Sequence, residues 1–227
     1  MYTYRWKVGL IMTRTREVIK KSLVVLLGMV FVGCGINLMV YADIGADPFT
    51  TGVMGVYLGI NRLGTFSFGT AQVITNIFFI SLGFILNKKK IGLGTLLSAF
   101  ASGVAVDLWK PILMGILPDN PGFVSSLFFL LLGALIVSLG IATYVSPDFG
   151  MGAGEILPII LAEKFGWKFR YLKIANDFLC FLMGFLLGAI YGVGTIISLV
   201  IMGPVIHFLM PHLKKLFGFA GQPAGGR

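Results

Sequence analysis

DIGADPFTTG at residues 43–52 and DFGMGAGEIL at residues 148–157 are the two stretches that interrupt an otherwise apolar chain. Each begins with Asp-x-Gly and continues with small or helix-starting residues. Around them, hydrophobic residues make up 57% of the 227 positions and charged residues only 12%, with a mean hydropathy of +0.93. Soluble domains are far less apolar than this. The composition therefore indicates an integral membrane protein, whose fold depends on how the two breaks are accommodated.

The positive charges indicate orientation in a membrane rather than binding to nucleic acid. The net charge is +9, but the basic residues lie in short clusters between apolar segments, at 14–21, 88–90 and 164–173. Such clusters are typical of cytoplasmic segments that face anionic lipid. Cys34 and Cys180 lie inside apolar runs without the spacing of a metal site, so we expect packing roles for them. We therefore expect the lipid bilayer as a partner, with no nucleic acid, no metal and no cofactor.

The chain aligns with itself, which predicts an internal duplication. A shift of 105 positions, from Asp43 to Asp148, lays LLGMVFVGCGINLMVYADIG over LLGALIVSLGIATYVSPDFG. A shift of 100, from Gly103 to Gly203, lays IGLGTLLSAFASG over YGVGTIISLVIMG. Because the first apolar segment has this internal counterpart, we expect it to stay rather than to act as a lipoprotein signal ending at Cys34. We divide the chain into a basic lead, two membrane repeats and a flexible tail, at residues 1–20, 21–117, 118–212 and 213–227.

Each repeat contains four apolar elements, of which the second is too short to cross a bilayer. The elements lie near 21–41, 48–60, 67–86 and 91–109, and near 122–145, 153–165, 170–190 and 193–210. A helix of about 13 residues rises roughly 20 Å, whereas the hydrocarbon core is about 30 Å thick. We therefore predict an all-α membrane protein with three crossings and one re-entrant half-helix in each repeat. Three crossings make the second repeat inverted relative to the first.

Charge placement favours this inverted arrangement over its alternative. With a cytoplasmic N-terminus and re-entrant short elements, all 18 Lys and Arg lie inside except Arg62 and Lys110. If the short elements span, the chain has eight spanning helices in parallel repeats, and the lysines at 88–90 lie outside. Both arrangements satisfy the positive-inside rule, but a triple lysine on a short exported loop is less favourable. Eight spanning helices in parallel repeats remain the alternative.

The two breaks predict a binding site near the membrane midplane. Arg62 and Lys164 follow the two short helices, and charge is costly at mid-bilayer, so the opposite helix ends lie deep. Asp47 before Pro48 is typical of an N-cap followed by a first-turn proline. Free amides at two such helix starts would bind a polar or anionic group. The candidate binding residues are Gly45, Asp47, Thr50, Thr51, Gly150, Gly152, Gly154 and Glu155.

A structural interpretation of the same residues stays open. Asp-x-Gly can form a simple surface turn, and glycine-rich helix starts often serve only close helix packing. Glu155 and Asp177 are candidates for proton coupling, because intramembrane acids usually face a cavity or a partner. A snorkelling Lys173 that pairs with Asp177 is the structural alternative.

Several of these motifs resemble a known group of proteins. The Asp-x-Gly breaks, GADPFTTG with a downstream NKKKIGLGT, and GMGAGEILP with YGVGT are similar to the YczE and YitT type of small bacterial membrane proteins. The resemblance covers about residues 20–212. It implies a polytopic helical fold in the bacterial inner membrane, and it supplies neither a substrate nor functional residues. The charge pattern adds that both termini are cytoplasmic.

Inverted repeats with broken helices favour a transporter or channel for a small polar or anionic solute. We expect no enzyme, because the chain lacks a nucleophile with its base, a HExxH helix, a Walker loop and a paired-carboxylate glycosidase site. Two other functions stay open: a substrate-binding subunit of a multi-component transporter, and a non-transporting membrane scaffold. The small size and the many glycines are compatible with a homodimer.

Overall fold

The computed structural model describes residues 2–119 and 121–219. Within these ranges it contains eight α-helices and no β-strand, with a short 3-10 turn at Lys88–Lys90. The helices are α1 (Tyr2–Tyr41), α2 (Pro48–Ile60), α3 (Phe68–Asn87), α4 (Leu93–Met114), α5 (Phe123–Val145), α6 (Ala153–Phe165), α7 (Phe169–Leu186) and α8 (Val193–Leu216). α1 includes nearly all of the predicted lead, whereas residues 220–227 of the predicted tail lie outside the described residues. The described chain is all-helical, as its apolar pattern predicts.

Among the described residues, five helices are long and apolar enough to cross a membrane. They cover Thr15–Tyr41, Phe68–Lys90, Leu93–Met114, Phe123–Val145 and Val193–Leu216. α7 has 18 residues and therefore rises about 27 Å, but it carries Arg170, Lys173 and Asp177. α2 and α6 have 13 residues each, which is shorter than a bilayer crossing needs. These lengths are those of a helical membrane protein with two short helices.

Local sequence signals explain where the short helices begin and end. Pro48 takes the first position of α2, directly after the N-cap Asp47, where the missing N–H of proline costs nothing. α6 is followed by its C-cap Gly166, which has a φ of +69°, a left-handed conformation that glycine adopts without strain. In the turns that precede the two helices, Asp43 and Asp148 have φ values of 54° and 46°. Aspartate is one of the few residues that tolerates this conformation.

The centre of the fold is an antiparallel pair, α1 and α5, held close by glycines. A Cβ placed at Gly28 would lie 2.8 Å from the carbonyl oxygen of Gly140, and one placed at Gly133 would lie 2.8 Å from that of Gly35. Small residues at such contacts let helix backbones approach closely, which is how helices gain van der Waals packing in lipid. α4 packs beside α1 and α8 beside α5. The two most apolar of the spanning segments therefore form the core around which the other helices are arranged.

Each short helix packs on a longer helix from the other half of the chain. Gly52 of α2 lies against Cys180 of α7, and Gly55 lies against Gly184, so α2 and α7 run in the same direction. α6 packs on α3 in a second apolar cluster that includes Phe79, Ile156 and Ile160. The two halves are therefore interlocked rather than side by side.

α4 packs antiparallel to α3, whereas α8 stands away from α7. Gly103 of α4 lies against Gly69 of α3, and Asn76 Nδ2 donates to the Ala99 carbonyl oxygen at 3.0 Å. Gly203, which aligns with Gly103, has nothing outside its own helix backbone within 4 Å of a Cβ position, counting the described residues. α7 and α8 hardly touch in the part of the chain that the structure describes. Both helices instead contribute to the wall of a central cavity.

Candidate functional site

A cavity of about 600 Å³ lies at the centre of the protein. Its wall takes residues from all eight helices, including the starts of α2 and α6 and facing parts of α7 and α8. Met29 and Ile36 of α1 and Ile141 of α5 belong to its apolar part, and most of the polar part comes from the remaining helices. Pockets of about 300–1,000 Å³ with a few polar groups are typical of small-molecule sites. The cavity is therefore large enough to enclose a small organic molecule.

The N-terminus of α2 is closed by its own carboxylate. Asp47 Oδ1 accepts hydrogen bonds from the backbone N–H groups of Phe49, at 3.1 Å, and Thr50, at 3.2 Å. Pro48 has no N–H, so these two bonds use the first free amides of the helix. The Asp47 side chain lies in the cavity wall. The amides that a bound anion would need at this helix are therefore already occupied.

α6 also carries a carboxylate at its start, but from a different position. Its N-cap is Gly152, which aligns with Asp47 and offers no side-chain cap. Glu155, in the first turn, folds its carboxylate back over Gly152. Tyr144 Oη donates to Glu155 Oε2 at 3.3 Å. Because a helix N-terminus stabilises negative charge, each of the two short helices holds an acid at the cavity.

One lysine side chain lies among these acids. Lys173 Nζ is 2.6 Å from Asp177 Oδ1, four residues further along α7, and the two side chains are 29% and 14% exposed. The ammonium also interacts electrostatically with Glu155 and Asp47. Arg170, three residues before Lys173, lines the cavity at an exposed position. The acids do not form a metal-ligating group within the described residues, and all three interact electrostatically with the Lys173 ammonium.

Neutral polar side chains from α3 and α4 line another part of the wall. Asn76 Nδ2 donates to the Ala99 carbonyl oxygen, at 3.0 Å, and to Ser102 Oγ, at 2.9 Å. Ser98 Oγ donates to a carbonyl of its own helix. Gln72 is only 4% exposed, and its Oε1 has no hydrogen-bond partner among the described residues. Because an unpaired buried acceptor is costly, a ligand donor that reached Gln72 Oε1 would relieve this cost.

The structure brings part of the predicted site together at the cavity. The predicted residues that line it are Asp47, Thr50, Gly152, Gly154, Glu155 and Asp177. Gly45, Thr51 and Gly150 do not belong to its wall. Thr51 is fully buried, and its hydroxyl donates to the carbonyl oxygen of Asp47 at 3.0 Å. Its side chain therefore stabilises the first turn of α2 and does not face the cavity.

The Asp-x-Gly breaks themselves are structural joints between the two halves. Gly94 N–H donates to the Phe149 carbonyl oxygen at 3.1 Å, and Gly194 N–H donates to the Ile44 carbonyl oxygen at 2.9 Å. The glycine after each acceptor has no room for a Cβ, because the start of α4 or α8 lies directly against it. This contact explains why Gly45 and Gly150 lie away from the cavity.

Sequence reasoning missed Gln72 and considered Lys173 only as a partner for Asp177. A signal was present, because a shift of 101, from Asn76 to Asp177, also lays Gln72 on Lys173. In both helices the two polar positions are four residues apart and therefore share one face. A polar pair at aligned positions of α3 and α7 predicts that both faces line the same cavity.

The sequence is similar to several bacterial proteins. It is 26% identical over 197 residues to an uncharacterized protein of Haemophilus influenzae, which covers 85% of this chain and 84% of that one. It is 22% identical over 191 residues to the uncharacterized protein YyaS of Bacillus subtilis, which covers 84% and 92% of the two chains. It is 23% identical over 152 residues to the uncharacterized membrane protein YczE of Bacillus subtilis, which covers 67% and 69%. No solved structure matches the chain.

These similarities confirm the resemblance to YczE. A membrane protein among the relatives and five helices of spanning length in this chain together identify a multi-pass membrane protein. The chain also matches a protein family over residues 19–211, which is most of its length. It therefore belongs to the family of unknown function DUF6198.

Proposed function

We propose that the protein is a membrane transporter that binds a small solute in the central cavity and exposes it to the two sides of the membrane in turn. The observation that carries this proposal is the unequal packing around the cavity. α4 lies against α3, while α8, at aligned positions, stands away from α7. A site closed by one helix pair and open through its counterpart is what an alternating-access transporter needs in one of its two states.

Inverted repeats would supply the second state by exchanging the roles of the two pairs. The 13-residue helices α2 and α6 support this arrangement, because each packs on a long helix of the other half. α2 begins at the cavity and runs beside α7 towards Asn61. Half-helices that start at a central cavity, with their free backbone groups sheltered by protein, are expected of re-entrant elements.

We place the protein in the bacterial inner membrane with both termini in the cytoplasm. In this orientation Lys88–Lys90 and Lys164 lie on the cytoplasmic side and Arg62 lies outside, as the positive-inside rule requires. The first turns of α7, which include Arg170, then lie on the cytoplasmic side and line the gap towards α8. The described state is therefore the one open to the cytoplasm.

Closure of α8 onto α7 is the motion that we propose between the states. Gly203 has open space beside it, whereas a Cβ at the aligned Gly103 would lie 2.5 Å from the Gly69 carbonyl oxygen. Pro204 lies inside α8, where it removes a backbone hydrogen bond and permits bending. Glu155 and Asp177, both in the cavity wall, are the acids proposed to exchange the coupling proton.

Thiol labelling of intact cells tests the topology. In a Cys34→Ala, Cys180→Ala background, we expect an impermeant maleimide to modify Arg62→Cys from outside and to leave Lys89→Cys unmodified. The reverse result would mean eight spanning helices in parallel repeats. The deep start of α2, and the site built on it, would then have to be abandoned.

A cysteine inside the cavity tests alternating access. Ile141 of α5 is partly buried in the cavity wall, so Ile141→Cys in the same background places a thiol there. We expect an impermeant methanethiosulfonate to modify it in right-side-out and in inside-out vesicles, while the control Lys89→Cys reacts only in the latter. Modification of Ile141→Cys from the cytoplasmic side alone would contradict a transporter. It would favour a substrate-binding subunit or a scaffold instead.

A further inference from the structure

We infer that the cavity is a binding site for a monovalent organic cation, an ammonium group carried on an apolar body. This ligand class rests on the proposed function, because we take the occupant of the cavity to be the transported solute. Three features of the wall point to it: an excess of carboxylates, an unpaired buried acceptor and an apolar remainder. Each feature is independent of the other two.

The excess of carboxylates follows from the pairing of Lys173. Its ammonium is held at 2.6 Å by Asp177 on the same helix, so this pair is neutral by itself. Asp47 and Glu155 remain, at the starts of two different helices, and both line the cavity. Arg170 lies at an exposed position, where solvent screens its charge. Among the described residues, three acids of the inner cavity, Asp47, Glu155 and Asp177, therefore share the single ammonium of Lys173.

The two helix starts compensate only part of this charge. Each helix N-terminus acts as roughly half of a positive elementary charge. The two helix N-termini together offset about one of the two negative charges on Asp47 and Glu155. About one unit of negative charge therefore remains. Uncompensated charge at membrane depth is expensive, and it is neutralised by a proton or a cation. One ammonium group, or one proton in its place, supplies the missing charge.

Gln72 provides the second feature. Its side chain is buried in the cavity wall, and Oε1 has no hydrogen-bond partner among the described residues. A carboxylate or phosphate ligand offers only acceptors, which would leave this oxygen unpaired. An ammonium group offers only donors. The unpaired acceptor and the excess of acids therefore select the same kind of ligand.

The remainder of the wall is apolar and partly aromatic. Phe49 and Phe169 line the cavity together with Ile36, Ile141 and Met202. Aromatic faces attract cations, and the aliphatic side chains favour an apolar body. At about 600 Å³ the cavity has room for a molecule much larger than an inorganic ion. The ligand is thus an amine with an apolar part rather than a metal ion.

This ligand differs from the polar or anionic solute that the sequence favours. That expectation depends on free amides at the two helix starts. Asp47 takes the amides of α2 for itself, at 3.1 and 3.2 Å, and the Glu155 carboxylate lies over the start of α6. An anion would also have to displace Asp177 from Lys173. The helix starts therefore hold the protein's own acids, and the acids face the ligand.

A matched set of ligands tests the inference. Tryptamine, tryptophol and indole-3-propionate share one indole body and end in an ammonium, a hydroxyl and a carboxylate. Calorimetry on the purified full-length protein in phosphatidylglycerol nanodiscs should give tryptamine at least about tenfold tighter binding than tryptophol, and no measurable binding of indole-3-propionate. Equal affinities, a preference for the carboxylate, or no binding of tryptamine overturns the inference.

Two variants connect the binding to the named residues. Glu155→Gln and Gln72→Leu should each weaken tryptamine binding by at least about fivefold, because the first removes a negative charge that attracts the ammonium and the second removes a hydrogen-bond acceptor. Asp148→Asn is the control, since this acid lies outside the cavity wall and pairs with Lys214 at 3.0 Å; its tryptamine affinity should match that of the parent protein. Unchanged binding in both cavity variants overturns the inference.

The ammonium group has two sources that the bilayer composition separates. Loss of tryptamine binding in phosphatidylethanolamine nanodiscs would identify the lipid headgroup as the natural occupant. Retention of binding there would identify a soluble amine. Either outcome supports an ammonium ligand.

Counterflow in proteoliposomes separates this inference from the proposed transport. Selective binding of tryptamine without counterflow would support the cation site and contradict the proposed transport activity. Counterflow of indole-3-propionate without counterflow of tryptamine would support the proposed transport activity and overturn the cation site.

Discussion

The two halves of the chain place different chemistry at aligned positions of the cavity wall. In three aligned pairs the first half contributes the neutral side chain and the second half the charged one: Thr50 and Glu155, Gln72 and Lys173, and Asn76 and Asp177. The pair of Asp47 and Gly152 is the exception. The neutral half is the closed one, in which α3 and α4 are packed together. The charged half is the one in which α7 and α8 are apart. Helix order is the same in both halves, so the difference lies in the side chains.

An amide can bridge two helices where an ionised acid cannot. Asn76 donates from α3 to Ala99 and Ser102 of α4, at 3.0 and 2.9 Å. Asp177, at the aligned position of α7, is paired with Lys173 of its own helix. An ionised carboxylate has no donor to offer to a carbonyl of the neighbouring helix. We therefore expect closure of α8 to require that the charges on α7 first be neutralised.

A second bridge is also confined to the first half. Asp107 of α4 accepts hydrogen bonds from Ser67 Oγ, at 2.6 Å, and from the Gly69 N–H, at 2.8 Å, at the start of α3. Its aligned counterpart on α8 is His207, which is exposed. The start of α7 has no side-chain cap. Two side-chain bridges therefore join α3 to α4, and α7 and α8 have no equivalent within residues 2–119 and 121–219.

The largest effect is expected from exchanging the two aligned glycines. Gly103→Leu should lower the free energy of unfolding by about 3 kcal/mol, because the new side chain would meet the backbone of Gly69. Gly203→Leu should change it by less than about 1 kcal/mol, since open space surrounds that position. Thermal unfolding of the two purified variants measures the difference.

Gly203→Leu also sharpens the comparison, because it should block closure without unfolding the protein. Combined with Ile141→Cys, it should abolish labelling from outside and leave labelling from the cytoplasmic side intact. Equal loss of stability in Gly103→Leu and Gly203→Leu, or full outside labelling in the second, would contradict the assigned roles.

An intermediate effect is expected from breaking the amide bridge. Asn76→Leu removes both hydrogen bonds to α4, a loss of about 1–2 kcal/mol, which corresponds to roughly a tenfold shift in a conformational equilibrium. Separation of α3 and α4 should then raise the rate of Ile141→Cys labelling from outside about tenfold. Thr75→Val is the matched control, because the Thr75 hydroxyl bonds within its own helix; its labelling rate should stay at the parental value. An unchanged labelling rate in Asn76→Leu would show that the Asn76 hydrogen bonds do not hold α3 and α4 together.

The smallest effect concerns the threonines at the two joints. Thr95 Oγ1 accepts a hydrogen bond from the Met151 N–H at 2.9 Å, whereas Thr195 Oγ1 has no partner among the described residues. Thr95→Val should cost about 1 kcal/mol of unfolding free energy, and Thr195→Val should be neutral or slightly stabilising. Denaturant titration of both variants measures this difference. A larger cost for Thr195→Val would show that its hydroxyl has a role that the described contacts do not explain.

Much of the helix pattern could be predicted from the sequence, because its signals are local. The predicted short elements, 48–60 and 153–165, have the bounds of α2 and α6. The ends of α4 and α8 were predicted too early, since α4 continues through Pro111 to Met114 and α8 through Pro211 to Leu216. In a bilayer, a helix that loses one hydrogen bond at proline still gains by pairing the rest of its backbone, because lipid offers no other partner.

The candidate site was less predictable, because its composition depends on contacts about a hundred residues apart. The N-cap motif at Asp47 was recognised, but the cap itself uses the amides that were expected to bind an anion. Gly45 belongs to a joint with α8 rather than to the cavity, and only the packing of the two halves decides this. Lys173 and Gln72 enter the site for the same reason, since their faces of α7 and α3 meet only in the assembled protein.

The interlocking of the short helices has a consequence for how the protein is made. α2 ends at residue 60 and its packing partner α7 begins at residue 169. Another 109 residues (169 minus 60) must therefore leave the ribosome before α2 can pack against α7. Their synthesis takes roughly 5–20 s at ordinary rates. Throughout this interval the first half has a cavity-lining helix without its neighbour. The nascent first half therefore depends on the insertion machinery to cover the exposed face of α2. We expect either half to be unstable in the membrane when it is produced without the other.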